Sequence, residues 1–179
     1  GLSENTMLIF TTDHGLPFPR AKGTLFDDGI GVALLMRGPG GFRGGKTVDA
    51  MASHMDMLPT FFNLAGVDVP EHVQGKDLGP LVRGETDRVH EALFAENNYH
   101  SAYDPVRAVR TERYKYIRSF EERATAVLPN VDDGHSKDYL ADHGWPAGKR
   151  PMETLFDLVA DPHEFENVLD RPAYAAVRD

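Results

Sequence analysis

Two runs of mainly apolar residues lie near the start of the chain, at 6–12 and 30–36. Neither run alternates between apolar and polar positions, and each is followed by a segment rich in turn-forming residues. Uninterrupted runs of this length are typical of strands that are buried on both faces of a parallel sheet. The pattern therefore predicts strands of an α/β sheet in the first part of the chain.

Residues 56–66 carry the pattern of one amphipathic helix, with apolar residues recurring on one face. Asp56 is a suitable N-cap, Pro59 lies in the first turn, where proline is tolerated, and Gly66 suits the C-terminal cap. We predict a helix over this range that buries its apolar face.

After residue 90 the pattern changes to short runs that are spaced like an antiparallel meander: 91–96, 106–111, 114–120 and 154–159. Glu112 and Arg113 separate two of these runs and predict a tight hairpin. Tyr114, Tyr116 and Phe120 alternate along one run, so we predict that their face packs in the core.

The order of these elements predicts the fold class and the domains. Residues 1–86 are expected to form the C-terminal part of an α/β domain, a sheet with helices. Residues 87–179 are expected to form a smaller α+β subdomain with a four-stranded antiparallel sheet.

Composition and charge exclude several functions. The net charge is −9 and no basic run is present, which argues against nucleic acid or an anionic membrane as a partner. No apolar run approaches the length of a membrane span. The chain has no cysteine, so thiolate metal sites and a thiol nucleophile are excluded for these residues.

Candidate chemistry lies where the first predicted strand ends. Asp13 and His14 follow that strand, Gly15 permits a turn, and Lys22 comes a few residues later. In open α/β sheets, ligands bind at the carboxyl ends of the strands. A carboxylate and an imidazole can hold one divalent cation there, and the lysine ammonium can stabilise an anion. The alternative is that Asp13 caps a turn and His14 lies at the surface.

Several segments, in their order along the chain, resemble the C-terminal half of type I sulfatases of the alkaline phosphatase superfamily. They include Asp13-His14-Gly15, Lys22-Gly23-Thr24, Leu155-Phe156-Asp157-Leu158 and Asp161-Pro162-His163-Glu164. The further segments that carry the resemblance are 5–12, 25–30, 35–40, 53–60, 65–67, 75–78, 106–117 and 165–167. Leu16-Pro17-Phe18-Pro19 looks most like the heparan N-sulfatase (sulfamidase) branch, in which an arginine tends to stand at the Lys22 position.

The resemblance implies an alkaline-phosphatase-like sheet and a sulfatase that acts on a sulfated sugar, as a sulfuric ester or a sulfamate. It implies Asp13 and His14 as metal ligands and Lys22 as the catalytic cation that contacts the sulfate. The implied cation is calcium. The family often has asparagine at the His14 position, and imidazole suits manganese or zinc better, so those metals stay open.

The family's nucleophile is a formylglycine made in a Cys/Ser-x-Pro-x-Arg motif, and this chain contains no such motif. We therefore expect the nucleophile and the other metal ligands upstream, in a protein of roughly 450–500 residues. The chain by itself is then expected to be inactive and to need the missing N-terminal part of the same protein as its partner.

His100 and Arg107 are the candidate substrate-binding residues beside Lys22. His100 lies among tyrosines that suit contact with a sugar, and Arg107 can bind a carboxylate or sulfate, although a structural salt bridge is the alternative. Asp132 and Asp133 are interpreted as solvated turn residues.

Two other functions stay open. Phosphodiesterases and phosphonate monoester hydrolases of the same superfamily also use an Asp-His pair. A non-catalytic module that binds a glycan or a protein partner through the antiparallel subdomain is the third interpretation.

Overall fold

The structure is a computed structural model that describes residues 2–145 and 147–178. The chain divides into two compact units. One comprises the chain up to Thr11 together with Ala33–Leu93, and the other comprises Thr12–Val32 and the chain from Phe94 onward. The predicted domain division at residue 86 stays a prediction about the whole protein.

The first unit begins with a two-stranded sheet of β1 (Leu8–Thr11) and β2 (Leu34–Arg37). The two strands pair antiparallel, with Leu8 opposite Arg37, whereas runs of this kind are typical of a parallel sheet. Leu8, Phe10 and Leu35 are exposed on one face. An apolar run without alternation reports hydrophobicity alone, and it carries no information on strand direction.

The core of the first unit lies around three buried residues, Phe42, Leu78 and Leu81. Met36 of β2 and Leu64 pack against them. The helices of this unit are α2 (Met57–Ala65) and α3 (Gly79–Arg83).

The helix predicted over 56–66 is confirmed as α2, and Gly66 ends it in the left-handed conformation. Asp56 occupies the predicted N-cap position of α2, but its side chain makes no capping hydrogen bond to that helix. A 3₁₀ turn, His54–Asp56, precedes α2, and Ser53 is the capping residue of that turn. The Asp56 carboxylate accepts the backbone N–H of Ser53 at 2.7 Å, which closes a capping box. Asp56 therefore acts as the third residue of the turn.

The second unit contains the predicted four-stranded antiparallel sheet. Its strands lie side by side in chain order: β3 (Leu93–Tyr99), β4 (Tyr103–Arg110), β5 (Tyr114–Ser119) and β6 (Glu153–Asp157). A tight turn joins β4 to β5, in which Thr111 N–H donates to the carbonyl of Tyr114, and this confirms the predicted hairpin. The mixed α/β architecture with a four-stranded antiparallel sheet agrees with the predicted fold class.

The helices of the second unit are short: α1 (Asp27–Ile30), α4 (His135–Asp142) and α5 (Ala175–Arg178). Across the described ranges of the chain, no helix has the length and apolar character needed to cross a bilayer.

The buried face of β5 differs from the prediction. Lys115 is fully buried and Ser119 is nearly so, whereas Phe120 is exposed and the two tyrosines are only half-buried. Alternation divides a strand into two faces, but it cannot show which face is buried when a buried cation is paired. On β4, Val106 and Ala108 form the apolar core of this unit together with Leu25.

Candidate active site

Asp13 and His14 lie two and three residues after the last residue of β1. The Asp13 Oδ1 and His14 Nε2 atoms are 3.8 Å apart, and the Asp13 side chain is 92% exposed. Gly15 must be glycine, because a Cβ atom there would lie 2.1 Å from the carbonyl oxygen of Asp28. Its backbone N–H instead donates to the carbonyl of Gly29 at 3.0 Å, which fixes the turn after the pair.

The donor atoms of this pair fit a divalent cation. His14 Nδ1 lies 2.8 Å from the carbonyl of Gly15, and since a carbonyl only accepts, Nδ1 carries the proton. The neutral ring then has its lone pair on Nε2, the atom that faces Asp13. An imidazole that donates its other N–H to a backbone carbonyl is the usual arrangement of a metal-ligating histidine.

Lys22 is held by an ion pair within the second unit. Its Nζ atom lies 2.7 Å from Asp132 Oδ2, and its side chain is only 16% exposed. The next residue, Gly23, has φ +74°, and a Cβ atom there would lie 2.8 Å from both the Cβ and the carbonyl oxygen of Asn130. The backbone beside Lys22 therefore lies directly against the segment that carries Asp132.

Asn130 joins that segment to the loop of His100. The Asn130 side chain is buried, and its Oδ1 atom accepts the backbone N–H groups of Ser101 and Ala102, both at 3.0 Å. Its contact with Gly23 and its bonds to this loop bring three separate stretches of chain together. The sequence analysis missed Asn130, because an isolated asparagine in an irregular segment gives no local signal.

His14, Lys22, His100 and Asp132 form what we call the Lys22 cluster. The hydrogen bond from Lys22 lowers the pKa of the Asp132 carboxyl, and smaller electrostatic contributions come from Lys22, His14 and His100. Both imidazoles therefore lie within electrostatic range of this carboxylate. The structure thus brings together three of the five predicted site residues around Asp132, which the sequence had suggested was a solvated turn residue.

Arg107 does not join the Lys22 cluster. On β4 it alternates with the core residues Val106 and Ala108, so it projects from the opposite face of the sheet. Its guanidinium donates to Asn98 Oδ1 at 2.8 Å and pairs with Glu96 Oε2 at 3.0 Å. A role for Arg107 in substrate binding stays a prediction.

A buried ionic cluster fixes the segment that follows Lys22. The Lys115 Nζ atom lies 2.7 Å from Asp27 Oδ1 and 3.0 Å from Glu164 Oε1, and Arg110 Nε lies 3.0 Å from Asp27 Oδ2. Burial acts to raise the pKa of Asp27, but Lys115 and Arg110 outweigh it and lower that pKa. Burial raises the pKa of Glu164 despite its pairing with Lys115.

A cavity of about 300 Å³ lies in the second unit and has Lys22 in its wall. Leu25, Val106 and Ile117 supply apolar lining, and Asn130 and Arg150 supply polar groups. Its volume is at the lower end of the range for small-molecule sites.

The chain was compared with known proteins. The family described as N-sulphoglucosamine sulphohydrolase, C-terminal, matches residues 14–136. An ulvan-active sulfatase of Formosa agariphila is 32% identical over 99% of this chain and 36% of its own length.

Two solved structures share the fold. A 2-O GAG sulfatase has a TM-score of 0.70 at 28% identity, covering 97% of this chain and 34% of its own. A phosphonate monoester hydrolase of Agrobacterium radiobacter has a TM-score of 0.66 at 28% identity, covering 97% of this chain and 32% of its own.

The chain spans about a third of the length of these proteins. The family match covers more than half of the chain and includes His14, Lys22, His100 and Asp132. This chain therefore belongs to the type I sulfatase family and corresponds to its C-terminal region, as represented by N-sulphoglucosamine sulphohydrolase.

Proposed function

We propose that this chain forms the C-terminal part of a sulfatase that hydrolyses a sulfuric ester or sulfamate of a sulfated sugar. The observation that carries this proposal is the Lys22 cluster, which holds a partly buried ammonium 2.7 Å from Asp132 in a chain of sulfatase ancestry, with two imidazoles within electrostatic range of that carboxylate. The ulvan-active sulfatase and the 2-O GAG sulfatase are named for sulfated polysaccharides, which supports a sulfated sugar as the substrate.

Lys22 is proposed as the catalytic cation. Its ammonium has three N–H donors and uses one for Asp132, so it can also donate to an anionic oxygen. An ammonium fixed before the reaction stabilises the negative charge that develops on the transferred group and on the departing atom. Asn130 and Gly23 keep the ammonium in place, and His100 is proposed to contact the sugar.

Asp13 and His14 are proposed to hold one divalent cation, with calcium first and manganese or zinc as alternatives. When bound, the cation would offset the negative charge of the sulfate oxygens. In the part of the chain that the structure describes, no group of three or more His, Asp or Glu side chains could hold a metal ion. We propose that the remaining ligands and the formylglycine nucleophile belong to a region outside this chain.

The test is a Lys22→Ala variant of the full-length protein, assayed with 4-nitrophenyl sulfate. Loss of one preorganised donor should lower kcat/KM by about 10²–10³-fold. Lys149→Ala is the matched control, because Lys149 is an exposed lysine paired with Glu122. Wild-type activity in Lys22→Ala would contradict the catalytic role of Lys22.

A second candidate is a phosphonate monoester hydrolase. The structural match to the Agrobacterium radiobacter enzyme favours it. We expect faster turnover of 4-nitrophenyl sulfate than of 4-nitrophenyl phenylphosphonate by the same preparation. The opposite order of rates would make the second candidate the correct one.

A further inference from the structure

Asp132 places a carboxylate within a site that is proposed to bind an anion. Its Oδ2 atom lies 2.7 Å from the Lys22 Nζ atom, and its side chain is 54% exposed. Because the hydrogen bond from Lys22 lowers the pKa of Asp132, the carboxylate is charged at neutral and mildly acidic pH.

This carboxylate is held in place by its neighbours along the chain. Two residues before it, Asn130 is buried, accepts two backbone hydrogen bonds and contacts the backbone at Gly23. The segment that carries Asp132 and the segment that carries Lys22 are thus fixed against each other. The fold therefore fixes the Lys22–Asp132 ion pair before any ligand binds. An anion that binds at this site interacts with both charges.

The pair changes what Lys22 selects. An isolated ammonium attracts a doubly charged anion more strongly than a singly charged one. With a carboxylate 2.7 Å from the ammonium, the pair has no net charge. Any additional negative charge on the ligand is then repelled by Asp132 about as strongly as it is attracted by Lys22, so the pair gives a second charge little net stabilisation.

The charge state separates two chemical classes of ester. A sulfate monoester and a sulfamate carry one negative charge at every working pH. A phosphate monoester loses its second proton at a pKa of about 6 and is doubly charged above it. The two classes otherwise present similar tetrahedral groups to a cation.

We propose that Asp132 is a specificity-determining residue that disfavours doubly charged phosphate monoesters relative to singly charged sulfate esters. This inference rests on the proposed function, because it assigns the discrimination to the same Lys22 site. Solvent at the half-exposed side chain weakens the repulsion, so the expected discrimination by Asp132 is roughly tenfold.

The test compares Asp132→Asn with wild type in the full-length protein, using 4-nitrophenyl sulfate and 4-nitrophenyl phosphate. Asparagine keeps the shape and an acceptor oxygen for Lys22 but removes the charge. At pH 8, the ratio of kcat/KM for phosphate to that for sulfate should rise about tenfold. At pH 5, where a smaller fraction of the phosphate ester is doubly charged, the rise in the ratio should be smaller than at pH 8.

Asp133→Asn is the matched control. The adjacent Asp133 side chain is 98% exposed and pairs with Lys137 at 2.8 Å. The Asp133→Asn substitution therefore removes the same charge from the neighbouring position. It should leave the ratio unchanged at both pH values, and Asp132→Glu should restore the discrimination. His14 and His100 lie within electrostatic range of the same carboxylate. They are common to all variants, so comparisons at one pH remove their contribution.

An unchanged ratio in Asp132→Asn, or an equal rise in Asp133→Asn, would overturn this inference while the sulfatase proposal stood. Calorimetric binding of the same two esters provides a readout that needs no turnover, with the same tenfold shift in relative affinity expected. If wild type hydrolyses neither ester but the affinities shift as expected, the proposed activity is wrong and the charge discrimination is right.

Discussion

At the scale of single residues, buried charges are paired with several partners each. In the first unit, the Asp56 carboxylate is fully buried and accepts the backbone N–H groups of Ser53 and Lys76 at 2.7 and 2.8 Å. His90 Nε2 lies 2.9 Å from both carboxylate oxygens. A single side chain thus ties the start of α2 to two distant loops.

We predict that Asp56→Ala lowers the free energy of unfolding by about 3 kcal/mol or more, because it leaves buried donors unpaired. The backbone amides of Ser53 and Lys76 should also exchange hydrogen faster, as measured by mass spectrometry of the full-length protein. Asp68→Ala removes an exposed carboxylate and should change stability by less than about 0.5 kcal/mol. Equal effects of the two variants would contradict the role of Asp56.

In the second unit, Glu164 predicts a specific pH dependence of stability. Because burial raises its pKa in the folded state, the group contributes stability that is complete below about pH 4.3 and is lost as the pH rises through the raised pKa. Glu164→Gln has no proton to lose at this position. The difference in unfolding free energy, wild type minus Glu164→Gln, should therefore fall as the pH increases across this window.

Thermal unfolding measured at a series of pH values checks this sign. Glu71→Gln, which changes an exposed glutamate, serves as the control and should give a curve parallel to that of wild type. A rising difference for Glu164→Gln would show that pairing with Lys115 outweighs burial. Asp27, whose pKa is lowered, acts in the opposite direction and only below about pH 3.9.

At the scale of elements, the site depends on irregular segments that are locked by backbone contacts. Gly23 lies against Asn130, and Gly15 lies against the backbone of α1. These close approaches replace regular secondary structure as the means of placing Lys22 and the Asp13–His14 pair. Loops held in this way can carry functional side chains on a fixed scaffold.

We predict that Gly23→Ala is more harmful than Gly45→Ala. Both glycines have a positive φ, +74° and +86°, so both variants carry a backbone penalty of about 1 kcal/mol. A Cβ at Gly45 would meet nothing within 4 Å, whereas one at Gly23 would overlap the Asn130 backbone. Gly23→Ala should therefore also displace Lys22 and lower the turnover of 4-nitrophenyl sulfate about tenfold or more.

Equal stability and equal turnover in the two variants would show that the contact with Asn130 does not position Lys22. Midpoints of thermal unfolding and steady-state kinetics on the full-length protein provide both measurements.

At the scale of the whole molecule, this chain supplies only part of the proposed active site. Asp13 and His14 offer one carboxylate and one imidazole, and calcium usually takes six to eight oxygen ligands. The chain also covers about a third of the length of its relatives. We therefore propose that the metal site is completed by residues outside this chain.

We predict that exhaustive chelation of the full-length protein lowers sulfatase activity by about 100-fold or more, since a bound cation contributes several kcal/mol. Added calcium should restore activity, and elemental analysis should find one cation per chain. Asp13→Ala should lose the cation, whereas Asp28→Ala, at an exposed position nearby, should keep it. Restoration by manganese or zinc alone would show that His14 sets the metal preference.

The sequence by itself determined the features that depend on local pattern. The helix α2, the hairpin between β4 and β5 and the four short strands follow from periodicity and turn residues. The position of the adjacent residues Asp13 and His14 after a strand is likewise evident from the sequence. These features are set by residues within a few positions of one another, where propensity and spacing act directly.

Only the tertiary structure decided which polar groups are buried and which distant residues meet. Lys22 and Asp132 pair across 110 positions, and Lys115 is buried because Asp27 and Glu164, at opposite ends of the unit's sequence, both reach it. The apolar composition of β1 and β2 also did not indicate that the two strands pair antiparallel. Such contacts leave no local signal, because their stability comes from partners that are close only after folding.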